Sequence, residues 1–164
     1  MNFSLGWRLY MAREYDRALV QLNDAIEMDP SFVLPHIVLG QTYEQMGDYA
    51  KAIAELEKTA IMSHRSTPVI AALGHVYAVA GRPADAHKIL DELQSESRTG
   101  YVSPFYIALV YAGLKDENHT MEWLERAYAD RSNSMVFTDV DPRFDNLRND
   151  PKFQNLLQRM NFVN

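Results

Sequence analysis

The sequence predicts an all-α fold, a solenoid of four helical hairpins closed by a short carboxy-terminal helical cap. Three observations carry that prediction. Leu5-Gly6, Leu39-Gly40 and Leu73-Gly74 recur at a spacing of 34 residues, and the next step falls on Ile107-Ala108. In the same register stand Leu9, Tyr43, Tyr77 and Tyr111, then Ala18, Ala52, Ala86 and Thr120, then Leu22, Leu56, Leu90 and Leu124, then Ala25, Thr59, Leu93 and Ala127. With 47% hydrophobic residues in 164, the chain has enough apolar surface for one continuous core. A unit this short cannot bury its apolar face alone, so a fixed period means that neighbouring units stack.

The elements follow in order. Helices are predicted over 2–12, 15–28, 32–46, 49–62, 67–80, 83–96, 103–114 and 117–129. Antiparallel helices that cross closely need small residues, the role expected of Gly6, Gly40, Gly74 and Ala108 against Ala18, Ala52 and Ala86. Gly47 and Gly81 stop the first helix of a pair through a left-handed backbone, and Asp48 and Asp116 cap the second. Pro68 and Pro83 suit first turns, where no N–H donor is required. Ser95 to Gly100 is the most polar linker, so irregularity between units is expected there. Beyond residue 130, Asp141-Pro142-Arg143-Phe144 with Leu147 and Asp150-Pro151-Lys152-Phe153 with Leu156 read as two capped helix starts whose apolar residues close the open end of the stack.

The spacing Leu-Gly, aromatic, Ala, large apolar, Ala, with Pro30 closing the first unit, resembles the tetratricopeptide repeat over about residues 1–130. The resemblance implies a right-handed α-solenoid with units of about 1–30, 31–64, 65–98 and 99–130, and capping helices over 131–164. His64 and Arg98 replace the closing Pro in the second and third units, and Thr59 and Leu93 stand where the family has Ala, so helix angles are expected to vary there. Residues 101–160 also look like the ending of such arrays in bacterial multidomain proteins linked to winged-helix, kinase or cyclase modules. On that reading the chain is the carboxy-terminal piece of a longer protein. Its amino-terminal edge, Phe3, Trp7, Tyr10 and Met11, would then be uncovered and able to drive self-association.

In the family's architecture the first helix of each pair lines a concave groove for a peptide or partner helix. Carried over by position, the groove takes Phe3, Trp7, Tyr10 and Met11, then Leu34, Ile37, Gln41, Glu44 and Gln45, then Ala71, His75, Ala78, Phe105, Leu109 and Ala112. Trp7 and Tyr10 are read either as anchors for a ligand or as packing residues of the edge, and Gln41 and His75 as exposed. The family's basic clamp for chaperone carboxylates is absent, its positions being held by Phe3, Trp7, Val38, Pro68 and Ala72 in one register and Ile37, Gln41, Ala72, Val102 and Tyr106 in the other.

Composition narrows the function. A net charge of −6 with no basic cluster speaks against nucleic acid and anionic membrane as partners. With no cysteine, no apolar run near membrane length and no signal peptide, a cytoplasmic setting is expected. No two of His36, His64, His75, His87 and His119 lie at i and i+4, and no phosphate loop, nucleophile elbow or dinucleotide fingerprint occurs. Hence no cofactor, no metal and no enzyme activity are expected. The leading reading is a protein-binding scaffold. The alternatives are a structural spacer or self-association module and, less favoured, a small-ligand sensor or enzyme.

Overall fold

A computed structural model describes residues 2–161; Met1 and residues 162–164, which the sequence reading includes in the first unit and the cap, lie outside the described residues. The chain runs α1 (Asn2–Met11), α2 (Tyr15–Met28), α3 (Val33–Gln45), α4 (Tyr49–Met62), α5 (Thr67–Val79), α6 (Pro83–Glu96), α7 (Pro104–Gly113) and α8 (Glu117–Ala129). Two 3-10 helices, Asn133–Phe137 and Pro142–Leu147, and a last helix, α9 (Pro151–Arg159), complete it. The eight long helices pair as antiparallel hairpins and stack into an α-solenoid, with α1, α3, α5 and α7 forming one row and α2, α4, α6 and α8 the other.

One turn design repeats through the stack. The residue that ends the first helix of each pair is left-handed, with φ of +63° at Arg13, +79° at Gly47, +77° at Gly81 and +59° at Lys115. The next residue then donates its N–H to a carbonyl five positions back, Glu14 to Leu9, Asp48 to Tyr43, Arg82 to Tyr77 and Asp116 to Tyr111, at 2.8 to 3.1 Å. These bonds satisfy carbonyls that the helix end leaves orphaned. Gly tolerates the conformation freely, whereas Arg13 and Lys115 hold it at a steric cost that the closed turn offsets. Asp48 and Asp116 cap the helix that follows, accepting from Lys51 N at 3.2 Å and His119 N at 3.1 Å.

The hairpins are drawn together at the repeated glycines, but against different partners from those expected. A Cβ on Gly40 would lie 2.6 Å from Leu56 Cγ, one on Gly6 2.9 Å from Leu22, and one on Gly74 2.7 Å from Ile89 Cγ2 and 2.9 Å from Val110 Cγ2. The large apolar residue of the second helix thus fills the groove left by the glycine, and Ala18, Ala52 and Ala86, fully buried, serve the core beside it. α5 and α7 are buried along most of their length, because a second helical row, neighbouring inner helices and the carboxy-terminal segment cover them on several sides.

The junction after α6 is irregular, as the polar linker suggests. Seven residues, 97–103, separate α6 from α7, against four at 29–32 and 63–66. The longer link lets α7 lie chiefly along α5 rather than α6, and the contact is tight: a Cβ on Gly113 would be 3.0 Å from Ala78 Cβ.

At the carboxy terminus α9 caps the stack. Asp150 accepts from Lys152 N at 2.7 Å and Phe153 N at 3.0 Å, and Phe153, Leu156 and Leu157 join the core of α7 and α8. The other Asp-Pro sequence behaves differently. Asp141 caps a 3-10 turn, and Phe144 packs on Phe105 of the inner helix α7 with ring centroids 5.7 Å apart. Pro151 prevents continuation into a long helix, and the segment crosses the inner row instead of closing the end.

Candidate binding site on the concave face

The inner helices α1, α3, α5 and α7 present the concave face, and residues 132–148 lie over it as a strap. Ser132 Oγ meets Ser103 Oγ at 2.5 Å where the strap begins, and Ser134 Oγ donates to Tyr106 Oη at 3.4 Å. The Phe137 ring then stands edge-on to Trp7 of α1, with centroids 5.3 Å apart. Farther on, Asp145 takes two hydrogen bonds from Arg13, Nε at 3.1 Å and a terminal nitrogen at 2.5 Å, and one from Arg148 Nε at 2.6 Å. The last segment is therefore fastened to the first hairpin across the open side of the stack.

Between those ends sits a buried ion pair. Arg143 donates to Asp141 through Nε at 2.9 Å, a terminal nitrogen at 2.6 Å and its backbone N–H at 3.0 Å, with side chains 6% and 1% exposed. Burial, the largest single influence, would favour a neutral Arg143, but Asp141, Tyr10 and Glu44 around it together raise the guanidinium pKa. Tyr10, fully buried under the pair, has its phenol pushed well up, first by burial and then by Asp141. Asp145 shows the opposite balance: burial raises its pKa, but the bonds from Arg13 and Arg148 prevail and hold it below the ordinary carboxylate value.

Next to the ion pair, Glu44 of α3 and His75 of α5 approach to 3.0 Å with side chains 2% and 4% exposed. Glu44 Oε1 accepts from Gln45 Nε2 at 2.9 Å, while Glu44 Oε2, His75 Nδ1, Gln41 Oε1 and Tyr10 Oη are buried without a hydrogen-bond partner. His36 is satisfied separately, by Glu55 at 2.5 Å and the Pro30 carbonyl at 3.1 Å.

The strap leaves a cavity on each side. The first, of 350 Å³, is walled by Phe3, Trp7, Leu34, Ile37 and Val38 from the first two hairpins, by Pro68, Phe105 and Tyr106 from the others, and by Ser134, Phe137, Asp141 and Arg143 of the strap; Gln41 also reaches it. The second, of 270 Å³, is more polar, with Glu44, Gln45 and His75 facing Lys115, Arg143 and Asn146. Among the described residues no group of three His, Asp or Glu is placed to hold a metal ion, and no helix is long and apolar enough to cross a membrane.

The residues expected in the groove divide into three sets. Phe3, Trp7, Leu34, Ile37, Gln41 and Phe105 line the first cavity, and Glu44, Gln45, His75 and Ala112 the second. Tyr10, Ala71 and Leu109 are buried at 0 to 1% exposure, and Met11 and Ala78 are half-buried and line neither cavity. Two expectations are corrected. Tyr10 is sealed beneath the strap and is not an accessible anchor, and Gln41 and His75 are 4% and 3% exposed rather than solvated, because the strap covers the helices that carry them. The sequence reading also missed Ser134, Phe137 and Arg143 as site residues. Asp141-Pro142-Arg143 was the available signal: a charged pair two residues apart amid apolar neighbours needs burial against something.

Comparison with known proteins points to the same repeat family. Residues 9–61 match the tetratricopeptide repeat family model. Anaphase-promoting complex subunit 3 of Schizosaccharomyces pombe is 25% identical over 117 residues, which cover 71% of this chain and 18% of that protein. The match thus spans less than a fifth of the relative's length. The crystal structure of YrrB, described as a TPR protein with an unusual peptide-binding site, superposes with a TM-score of 0.50 over 96% of this chain and 82% of its own, at 18% identity. At that identity the likeness is one of fold.

Proposed function

Because the chain is a tetratricopeptide-repeat protein, we propose that it is a protein-interaction module that seats a short apolar segment of a partner in the cavity between its inner helices and its own strap. The carrying observation is the cavity itself: 350 Å³ of aromatic and aliphatic wall contributed by four inner helices and the strap, with Leu34 at 47% and Phe137 at 39% exposure among its walls. That volume lies at the small end of ligand pockets, which run from about 300 to 1,000 Å³. It suits one or two side chains rather than an extended peptide laid along the whole groove, because the strap occupies the rest. The partner is a protein in the cytoplasm, and neither nucleic acid nor membrane is required. Catalysis is not part of this reading.

The test is selection of a phage-displayed random peptide library on the intact chain, followed by binding to the Leu34→Asp variant. Leu34 is half exposed, so the fold should survive, as circular dichroism would verify. Enriched peptides that lose affinity for the variant support the cavity as the site. Peptides that bind both proteins equally, or no enrichment, refute it and favour a spacer whose contacts lie on its outer faces, such as Leu5 and Val20 near the amino-terminal edge.

A further inference from the structure

We infer that the first cavity takes proline: the partner segment places one or two prolyl residues there, and the side-chain amide of Gln41 donates to a prolyl carbonyl. The inference rests on the cavity being the binding site and names the chemistry of its occupant.

The polar atoms of the wall set the first condition. Gln41 of α3 is 4% exposed and lines this cavity and not the second. Its Oε1 is enclosed, so the amide atom left open is the donor Nε2, which has no hydrogen-bond partner among the described residues. The acceptors beside it are taken up. Both oxygens of Asp141, a carboxylate 1% exposed, are engaged by Arg143, and the hydroxyls of Ser134 and Tyr106 bond each other. What enters is therefore offered an amide donor and no free carboxylate or amide oxygen. Charge sets the second condition. Asp141 and Arg143 offset one another, so an entering cation or carboxylate would lose its hydration without an uncompensated partner to replace it. The occupant is thus uncharged and brings an acceptor without a donor. Side-chain amides and hydroxyls fail, because each carries a donor that would go unpaired, and the methionine sulfur accepts only weakly. The main chain of an ordinary residue fails as well, since its N–H enters with its carbonyl. Proline is the exception: its nitrogen bears no hydrogen, its carbonyl accepts, and the rest of its surface is hydrocarbon. The wall suits that surface. Trp7, Phe105, Tyr106 and Phe137 surround the space, and aromatic walls of this kind receive prolyl rings, whose extended backbone is already ordered before binding.

The experiment compares three tetrapeptides, of proline, of N-methylalanine and of alanine, each capped by acetyl and dimethylamide groups, by following backbone amide shifts of the isotopically labelled intact chain in NMR titrations. The first two have no main-chain N–H and the third has four. Tetraproline is expected to shift the amides around Gln41, Trp7 and Phe137 and to bind at least about fivefold more tightly than tetraalanine, the cost of one N–H buried unpaired. The N-methylalanine peptide should also bind more tightly than tetraalanine. In Gln41→Met, which keeps the side-chain length without the amide, tetraproline should bind about fivefold more weakly, with the fold checked by circular dichroism. An N-methylalanine or proline peptide that binds no better than tetraalanine overturns the selection against N–H groups, and unchanged tetraproline affinity in Gln41→Met overturns the role of Gln41. If tetraproline leaves those amides unmoved while peptides selected from the phage library shift them, the cavity binds a partner and the proline inference alone falls. If the selected peptides leave them unmoved too, the cavity is not the binding site and both readings fall.

Discussion

Removing one partner of the buried Asp141–Arg143 pair should destabilise the protein far more than removing both. The pair is 1% and 6% exposed and held by two side-chain hydrogen bonds, so Asp141→Leu strands a guanidinium and Arg143→Met strands a carboxylate beside Tyr10 and Glu44. An uncompensated buried charge costs about 3–5 kcal/mol. At roughly 2–4 °C per kcal/mol for a chain of this size, each single variant should melt about 10 °C lower. The double variant, Asp141→Leu with Arg143→Met, presents apolar groups of similar bulk to an apolar cavity. It should lose only about 1 kcal/mol, the worth of the cap that Asp141 provides to Arg143 N. Urea unfolding followed by circular dichroism on the four proteins gives the coupling energy directly, provided the urea slope stays constant. Single variants costing under about 1 kcal/mol would mean that the pair is solvated and the strap is not seated on the inner helices. Strictly additive losses would refute the claim that the two charges are there for each other.

Other consequences are smaller but as definite. Lys115→Gly should raise stability by about 0.5–1 kcal/mol in urea, because φ of +59° strains any residue with a Cβ, and Gly81→Ala, at +77°, should lower it by about 1 kcal/mol. Gly40→Ala should cost about 1–3 kcal/mol through the clash with Leu56, more than the roughly 1 kcal/mol that alanine gains in a helix, whereas Gly100→Ala, 3.9 Å from its nearest neighbour, should be near neutral. Tyr77 is pushed up to about 12 by burial and by its bond to Glu57, so its folded pKa exceeds the unfolded one. Its stabilising effect is present below about pH 10 and should be lost as pH rises toward about 12, with tyrosinate absorbance appearing later in Tyr77 than in exposed tyrosines. Asp145 has the opposite sign: its depressed pKa stabilises above about pH 4, and the effect fades as pH falls through the folded value. Arg13→Ala should weaken that acid dependence, by less than about 1 kcal/mol because the pair is partly solvated.

The repeat was legible because its causes are local and recur. Helix ends at Gly47 and Gly81, caps at Asp48, Asp116 and Asp150, and first-turn prolines at Pro68 and Pro83 each follow from backbone geometry within a few residues. The equivalent left-handed turns at Arg13 and Lys115 were not legible, since neither side chain signals that conformation; only the 34-residue register could have placed them. The site was half legible. Position in the repeat identified the inner helices and so brought Trp7, Gln41 and Phe105 to the same face, but it carried no information about what covers that face.

By itself, then, the sequence determined the helical hairpins, their period, the small residues at which they close, and the apolar character of the inner row. Those features depend on contacts within a unit or between adjacent units, and one 34-residue pattern encodes them. The tertiary structure alone decided that residues 132–148 turn back over the inner helices, that Arg13 meets Asp145 across most of the chain, and that Gln41 and His75 are enclosed rather than solvated. Such contacts join segments far apart in the chain, Arg13 and Asp145 being 132 positions apart. Their formation depends on the curvature of the whole stack, which no local spacing of residues specifies.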